Sequence, residues 1–273
     1  MTDGAAAGPA GMGGGSVSEG TGVIGGPGTG RDLDWCHDRL AAGSSGAEDP
    51  EDRSTVRSMP IVLHLPRGDL PSRTPLLEAA ARAVALVCVD VRVAPGGPWH
   101  EPFSGWLDAR MRKIARRARG AQWRAAQDVD GVTVEVDGCE ARAFVPGPVD
   151  DIDPRLARLQ IGGTDLERDH PDSPPAGEPV IWIDEGLEMS VGKAAAQVGH
   201  GVMLLMAEMS RKRLGEWVGS GCPVAVREAD SSRWQDLSAA VARSEPGVAA
   251  VVDAGYTEVA PGSLTVIATD VRA

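Results

Sequence analysis

The sequence has few of the residues that mark metal sites, disulfide frameworks or membrane spans. Its four cysteines are far apart and show no C-x-x-C spacing, which excludes a zinc site and a disulfide framework and indicates reduced thiols. Residues 1–22 contain neither a basic segment nor an apolar one, and charges such as Arg82 and Asp90 interrupt the apolar runs elsewhere. We therefore expect no signal peptide and no membrane span, and a cytoplasmic protein.

Positive charge is also scarce. The net charge of −12 argues against a general attraction to nucleic acid or to anionic membranes, so that any such binding requires a local basic patch. Only three of the basic residues are lysines, against 24 arginines, and aromatic residues make up 4% of the chain. A lysine at a polar position, such as Lys193, is therefore not simply what the composition supplies.

The 273 residues divide by composition into four segments. Residues 1–58 are rich in Gly, Ala and Ser and predict a disordered acidic tail, and residues 146–178 are Pro-rich and acidic, which is typical of a linker. Between them, residues 59–145 show the periodicity of a small α/β domain. Residues 179–273 form a second block in which strands and helices alternate.

The small α/β domain is predicted from four elements. Its strand over 60–65 precedes a helix over about 73–91, and a second helix is predicted over about 102–126. A hairpin then joins strands over 133–136 and 140–144 across the Asp137-Gly138 dipeptide.

The predicted helix over 102–126 carries the strongest basic run. Between positions 106 and 124 there are seven basic residues and one acidic residue, which gives a local net charge of +6. Its arginines, including Arg112, Arg116 and Arg119, have two interpretations that we hold about level: a solvated face that pairs with nearby acids, or a grip on a nucleic acid backbone. Trp123 on the basic side favours the second, because an indole can stack on a base.

The C-terminal block predicts a three-layer α/β/α fold with a mixed four-stranded sheet. Strands are expected over 180–184, 223–226, 248–252 and 264–268, with helices between the first three. Helical connections imply parallel neighbours, whereas the short loop between the last two strands implies that these run antiparallel. If the strands at 180 and 248 run in the same direction, their carboxyl ends lie at one edge, where open α/β folds bind ligands.

The stretch Met189–His200 has the features of a helix start at that edge. Ser190 is a predicted N-cap, and an apolar stripe follows it. Opposite the stripe, Lys193, Gln197 and His200 recur at helical spacing, which indicates either a solvated face or a binding face. A P-loop is excluded by the spacing of Gly186 and Gly192 and by the lack of a hydroxyl after Lys193. The helix N-terminus is a predicted phosphate site.

A second polar loop, Asp253-Ala-Gly-Tyr-Thr-Glu-Val-Ala-Pro-Gly-Ser263, follows the strand at 248. It supplies a carboxylate at a strand end, the hydroxyls of Thr257 and Ser263, and the single tyrosine of the chain, Tyr256. An ordinary Asx turn is the simpler interpretation of its Asp-Ala-Gly start when that motif is taken alone.

Together, Gly192-Lys-Ala-Ala-Ala-Gln-Val-Gly-His200 and Asp253-Ala-Gly-Tyr-Thr-Glu-Val-Ala-Pro-Gly-Ser-Leu-Thr265 resemble the type 2 peptidyl-tRNA hydrolase family. The resemblance covers about residues 180–270 and implies hydrolysis of the ester that joins a peptide to the tRNA 3′ ribose. It also implies a four-stranded mixed sheet, a tRNA substrate and no cofactor or metal. A homodimer is left open.

The resemblance implies catalytic roles for Lys193, Asp253, Thr257 and Thr265. His200 is an alternative base, although a histidine that is simply satisfied within the fold is an equally good interpretation. The remaining predicted substrate contacts are Gln197, Tyr256, Ser263, Arg112, Arg116, Arg119 and Trp123. Where the family often has further lysines, this chain has Glu188 and Val191, and these losses bear on tRNA affinity more than on the fold. Glu188 favours the alternative function of a catalytically weak tRNA- or protein-binding module.

Overall fold

The computed structural model describes residues 17–19, 25–49, 51–255 and 257–270. The rest of the predicted tail and Tyr256 lie outside the described residues. The helices are α1 (Arg31–Ala41), α2 (Arg73–Cys88), α3 (His100–Asp108), α4 (Gly120–Ala126), α5 (Pro154–Ala157), α6 (Val191–Glu208), α7 (Arg211–Gly219) and α8 (Ser231–Ala242). The strands are β1 (Val17–Glu19), β2 (Arg57–His64), β3 (Arg112–Ala118), β4 (Gly131–Val136), β5 (Cys139–Phe144), β6 (Gly147–Pro148), β7 (Val180–Asp184), β8 (Ala225–Ala229), β9 (Val248–Val252) and β10 (Leu264–Thr269).

The N-terminal sheet has the strand order β1-β4-β5-β2-β3, with β6 paired to β2. The predicted hairpin is confirmed as β4 and β5, and its turn residues Asp137 and Gly138 both have positive φ, as the twist of a tight hairpin requires. β3 pairs with β2 in parallel and lies at the end of the strand order. Arg117 of β3 also forms an isolated bridge to Gln160.

The predicted helix over 102–126 is wrong. The chain leaves α3 after Asp108, passes Met111 at φ 48°, and then forms seven residue pairs with β2 as strand β3. α4 follows after a second break at Gly120, where φ is 52°. Alanine, arginine, lysine and methionine favour helix locally, but pairing with β2 overrides that modest preference.

The C-terminal sheet has the order β8-β7-β10-β9. β7 and β8 are parallel, and β10 is antiparallel to both β7 and β9. β7 and β9 therefore run in the same direction, as predicted, and their carboxyl ends lie at one edge of the sheet. Buried residues of α6 pack on one face and Leu237 of α8 on the other, which confirms the three-layer arrangement.

The two sheets share a hydrophobic core through the contact of α2 with α6. Both helices are rich in small residues at this contact. A Cβ added at Gly199 would lie 3.0 Å from Cγ2 of Val84, so the glycine allows the two helices to approach closely. The division into an N-terminal and a catalytic domain stays a prediction, and in the structure both sheets contribute to one core.

Parts of the predicted tail and linker are ordered. Residues 31–41 form α1, whose Cys36 and Leu40 are buried against the shared core. Residues 146–178 contain β6 and α5 and place Thr164, 1% exposed, beneath the start of α6. The prediction of disorder is therefore wrong for residues 31–41. It rested on the polar, glycine-rich composition of the whole tail, which hides the short apolar pattern of this helix.

Candidate active site

The N-terminus of α6 is fully capped. Ser190 accepts a hydrogen bond from the Lys193 N–H, as predicted for an N-cap. The N–H groups of Val191 and Gly192 donate to the carbonyl and hydroxyl oxygens of Thr164, at 3.3 Å and 3.0 Å. The carboxylate of Glu258 accepts from both the N–H and the hydroxyl of Ser190. These contacts satisfy the first N–H groups, so the predicted phosphate site at the helix start is already filled by protein groups.

Lys193 and Asp253 meet at the edge of the sheet where β9 ends. The Nζ atom of Lys193 lies 2.6 Å from Oδ2 of Asp253 and donates at 3.0 Å to the hydroxyl of Thr257. The side chains of Lys193 and Asp253 are 10% and 11% exposed, so the pair is partly desolvated and still reachable from solvent. The structure therefore brings three of the predicted site residues into one cluster.

Gln197 and Thr265 form the second layer of this cluster. Nε2 of Gln197 donates to Oδ2 of Asp253 at 2.7 Å, and the hydroxyl of Thr265 donates to Oε1 of Gln197 at 2.6 Å. Thr265 is 0% exposed, so it reaches the cluster only through Gln197. The interpretation of the polar stripe as a solvated helix face is wrong for Gln197, which is 7% exposed.

The carboxylate of Asp253 is held in its charged form. Burial raises its pKa, but the hydrogen bond from Lys193 and the backbone N–H of Gly255, together with the Lys193 charge and Gln197, outweigh burial and lower it below the ordinary value of 3.8. Gly255 donates to Oδ1 at 2.7 Å. Its φ of 79° and the nearby Pro261 leave no room for a Cβ, so the Asp-Ala-Gly turn requires glycine here.

The cluster opens into a cleft of about 500 Å³. One wall is α6 with the end of β9, and the opposite wall is the segment from Arg110 to Ala115, which includes the first half of β3. The cleft is therefore built by both sheets. Its chemistry combines an ammonium, a carboxylate, a hydroxyl and an amide that are linked in one chain of hydrogen bonds.

Comparison with known proteins adds to this geometry. The family model for peptidyl-tRNA hydrolase PTH2 matches residues 178–271. A peptidyl-tRNA hydrolase of Pyrobaculum aerophilum is 40% identical over 94 residues, which cover 32% of this chain and 78% of that protein. The chain belongs to the PTH2 family. The matched segment contains Lys193, Gln197, Asp253, Thr257 and Thr265, whereas β3 and Thr164 lie outside it.

His200, the alternative base, lies in the cleft wall two turns beyond Lys193 on the PTH2 segment. Burial and the nearby charge of Lys113 lower its pKa well below the ordinary value of 6.5. No hydrogen bond in the described part of the chain joins it to Lys193 or Asp253. A neutral imidazole of low basicity in this position is not placed to act on a proton at the cluster.

Ser263 bonds within its own loop and not to the side chains of the cluster. The Ser263 hydroxyl donates to the carbonyl of Ala260, and its own carbonyl accepts from the N–H of Asp253, so this residue shapes the loop. Tyr256 lies outside the described residues, and its predicted role stays a prediction.

The predicted RNA-binding face of Arg112, Arg116, Arg119 and Trp123 is wrong as a helix face. Arg112 pairs with Glu48 at 2.7 Å, and Arg116 donates to the Leu159 carbonyl at 3.0 Å. Trp123 is 7% exposed and stacks on His64 with ring centres 4.7 Å apart, so it has no free face for a base. Arg119 is exposed at the end of β3.

Sequence reasoning missed three residues at this site. Thr164 and Glu258 cap α6 from other segments, and Lys113 of β3 lies in the cleft wall. One signal was available in the sequence. The third residue of α6 is not acidic, so no local side chain can complete the cap and the helix start needs a partner from another segment.

Within the described residues, no helix combines the length and the apolar character that a bilayer span requires.

Proposed function

We propose that this chain is a peptidyl-tRNA hydrolase that cleaves the ester between a peptide and the tRNA 3′ ribose at the Lys193–Asp253 cluster. The observation that carries the proposal is the ammonium, carboxylate and hydroxyl of Lys193, Asp253 and Thr257, joined by hydrogen bonds in an open cleft on the segment that matches the PTH2 family. Water attacks the carbonyl carbon, the bond to the ribose oxygen breaks, and that oxygen leaves with a proton.

Asp253 orients the water in this proposal. An ionised carboxylate offers about four acceptor positions. Oδ2 accepts from Lys193 and Gln197, and Oδ1 accepts from Gly255. Among the described residues, these contacts leave one position on Oδ1 for water. Because its pKa is lowered, Asp253 is a weak base at neutral pH. Of the two roles open from the sequence, orientation of water is therefore favoured over its full deprotonation.

Lys193 and Thr257 stabilise the developing oxyanion. An ammonium has three donors, and within the described residues two of them bond to Asp253 and Thr257. The third is available to a substrate oxygen. The Thr257 hydroxyl accepts from Lys193 and donates to no other group among the described residues. Its proton can therefore bond to water or to the tetrahedral intermediate. The fixed positive charge of Lys193 makes a metal ion unnecessary for this step.

Membership of the PTH2 family favours catalysis over the alternative of a catalytically weak binding module. In support of turnover, the polar groups of the cluster are present together and are mutually oriented. We propose a cytoplasmic location because the substrate is a product of translation. The homodimer stays a prediction, which light scattering of the purified chain would check.

The proposal is tested with purified full-length chain and a blocked aminoacyl-tRNA such as diacetyl-lysyl-tRNA. Wild type should release free tRNA, and Asp253→Asn should lower kcat by about 10²-fold while tRNA affinity changes little, since water orientation acts in the transition state. Lys193→Ala should lower kcat and weaken binding. Equal losses of turnover and tRNA affinity in Asp253→Asn would support the binding-module alternative instead.

A further inference from the structure

A second cavity of about 240 Å³ lies beside the active-site cleft. Its walls include three arginines and two glutamine side chains: Arg117, Arg119, Arg158, Gln122 and Gln160. The two cavities are neighbours, because the consecutive residues Gln160 and Ile161 line the second cavity and the cleft, respectively. We use the name arginine pocket for this second cavity.

The arginines of this pocket lack the carboxylate partners that the arginines at the start of β3 have. Arg110 and Arg112 both pair with the carboxylate of Glu48. Within the described residues, by contrast, Arg117, Arg119 and Arg158 form no ion pair with a carboxylate. Three guanidinium groups without such partners are unexpected in a chain of net charge −12, where carboxylates are plentiful. Their mutual repulsion is offset when an anion binds between them.

One of the three guanidinium groups is held in place before any ligand arrives. Nε of Arg117 donates to the carbonyl of Gly162 at 3.0 Å, and Nη2 donates to Oε1 of Gln160. Both acceptors are neutral, so they orient Arg117 and leave its charge uncompensated. The exposed side chains of Arg119 and Arg158 complete the pocket from the end of β3 and the segment after α5.

The chemistry that such a pocket recognises is a phosphate. Planar guanidinium groups bond to phosphate oxygens in pairs and carry charge of the opposite sign, and amide side chains such as Gln122 add further donors. A cavity of about 240 Å³ is several times the ~30 Å³ that one water occupies in the liquid. It therefore has room for a phosphodiester group with its neighbouring atoms.

The position of the pocket indicates which phosphate. β3 lines the cleft with Lys113 and Ala115 and lines the arginine pocket with Arg117, so one strand contributes to both cavities. At about 3.3 Å per residue, Lys113 and Arg117 are roughly 13 Å apart. A few nucleotides of an extended single strand cover such a distance. A chain whose 3′ ester reaches Asp253 can thus place an upstream phosphate in the arginine pocket.

We propose that Arg117, Arg119 and Arg158 bind a backbone phosphate near the 3′ end of the tRNA whose ester lies at the Lys193–Asp253 cluster. This inference rests on the proposed function. It assigns RNA affinity to a part of the chain outside the segment that matches the PTH2 family. The binding residues belong to a pocket at the end of β3 and not to the predicted helix over 102–126, which does not form. The C-terminal segment from residue 179 carries eight basic and twelve acidic residues, so positive charge has to come from elsewhere.

The test uses the full-length double variant Arg119→Gln/Arg158→Gln, because neither side chain has a hydrogen bond within the described residues whose removal would disturb the fold. We expect KM for diacetyl-lysyl-tRNA to rise about tenfold or more. The slope of log affinity against log salt should become shallower by about 0.7 to 0.9 for each phosphate that the variant no longer neutralises. Hydrolysis of diacetyl-lysyl-adenosine, which has no upstream phosphate, should stay within about twofold of wild type.

The matched control is Arg31→Gln/Arg53→Gln, which removes the same charge from two exposed arginines outside both cavities. It should leave KM and the salt slope near those of wild type. If both double variants changed KM and the salt slope equally, the effect would come from net charge alone and not from the arginine pocket. That result would overturn the inference. The inference also fails if the pocket variant leaves the tRNA KM unchanged, even if inorganic phosphate stabilises the wild type against heat.

A separate binding assay distinguishes this failure from failure of the proposed function. If wild type hydrolyses neither substrate but binds uncharged tRNA with a salt slope that falls only in the pocket variant, the hydrolase proposal is wrong and the arginine pocket is still an RNA site. If hydrolysis is normal and the pocket variant binds tRNA as wild type does, the hydrolase proposal stands and the pocket has no part in it.

Discussion

The hydroxyl of Thr265 donates a hydrogen bond of 2.6 Å to Oε1 of Gln197, and this contact turns Nε2 of Gln197 toward Asp253. Thr265 is completely buried and does not touch the cleft itself. We therefore propose that Thr265, which the family resemblance associates with activity, acts on Asp253 through the Gln197 amide as a positioning residue.

Thr265→Val should lower kcat by roughly 10- to 10²-fold, because the Gln197 amide loses its anchor and Asp253 is no longer held in one orientation. KM should change little, since Thr265 does not meet the substrate. Thr265→Ser keeps the hydroxyl and should restore most of the activity. The measurement is steady-state kinetics on a blocked aminoacyl-tRNA, and a loss in Thr265→Ser as large as in Thr265→Val would contradict the positioning role.

The pH dependence of activity should reflect the Lys193–Asp253 pair. With its pKa lowered below 3.8, Asp253 stays ionised in wild type as pH falls to about 5, and kcat/KM should show no acidic loss in that range. Lys193→Ala removes the principal stabilising contact, so the pKa of Asp253 should rise and an acidic limb should appear at higher pH. The check is kcat/KM from pH 5 to 8, with Lys212→Ala as control because Lys212 is exposed on α7.

The same shift affects stability. A carboxyl group whose folded-state pKa is lowered stabilises the folded protein above its unfolded-state pKa, and this contribution is lost as pH falls through the folded-state value. For Asp253 the contribution is therefore fully present near neutral pH, and it decreases as pH falls below about 4. Asp253→Asn should thus lower the free energy of unfolding more at pH 7 than at pH 3.5, as measured by urea denaturation.

Much of the C-terminal fold was predictable because its signals are local. Apolar strands alternate with a capped helix, and the direction of β7 and β9 follows from the connections between them. That shared direction is why the sequence alone predicts Lys193 and Asp253 at one edge. The N-terminal hairpin was equally predictable from Asp137-Gly138.

The features that the sequence did not predict have a common physical cause. Each of them depends on contacts with residues far away in sequence. β3 is a strand because residues 57–64 pair with it, although its own composition favours helix. Glu258 and Thr164 cap α6 across 68 and 28 residues, and no local pattern at Ser190 or Gly192 identifies them. The arginine pocket needs the segment after α5 to return to β3, which only the tertiary fold shows.

Thr164→Val should destabilise the protein by about 1–3 kcal/mol, because it leaves the Gly192 N–H buried without an acceptor. Since about 1 kcal/mol shifts Tm by roughly 2–4 °C in a chain of this size, the loss is measurable by calorimetry. Thr164→Ser retains the acceptor and is the matched control. An unchanged Tm in Thr164→Val would show that another group caps the helix start.

Lys113 places its ammonium beside α6 in the wall of the cleft. Nζ donates to the Met111 carbonyl at 2.9 Å and lies 5.0 Å from the centre of the Trp106 ring. Burial lowers the pKa of Lys113 to about 7, although the nearby Cys88 opposes the shift. Because this value is below the ordinary 10.5, the folded protein binds fewer protons than the unfolded chain between these two pH values.

The contribution of Lys113 to stability therefore rises with pH across that window and is least favourable below pH 7, where the charged group is buried. Lys113→Met keeps the length of the side chain without its charge. It should raise Tm by about 2 °C or more at pH 6.5, with a smaller gain at pH 9, because the wild-type amine is by then neutral. Lys212→Met, on an 89% exposed side chain, should show no such dependence. A gain in Lys113→Met that is equal at both pH values would mean that packing, and not the buried charge, sets the difference.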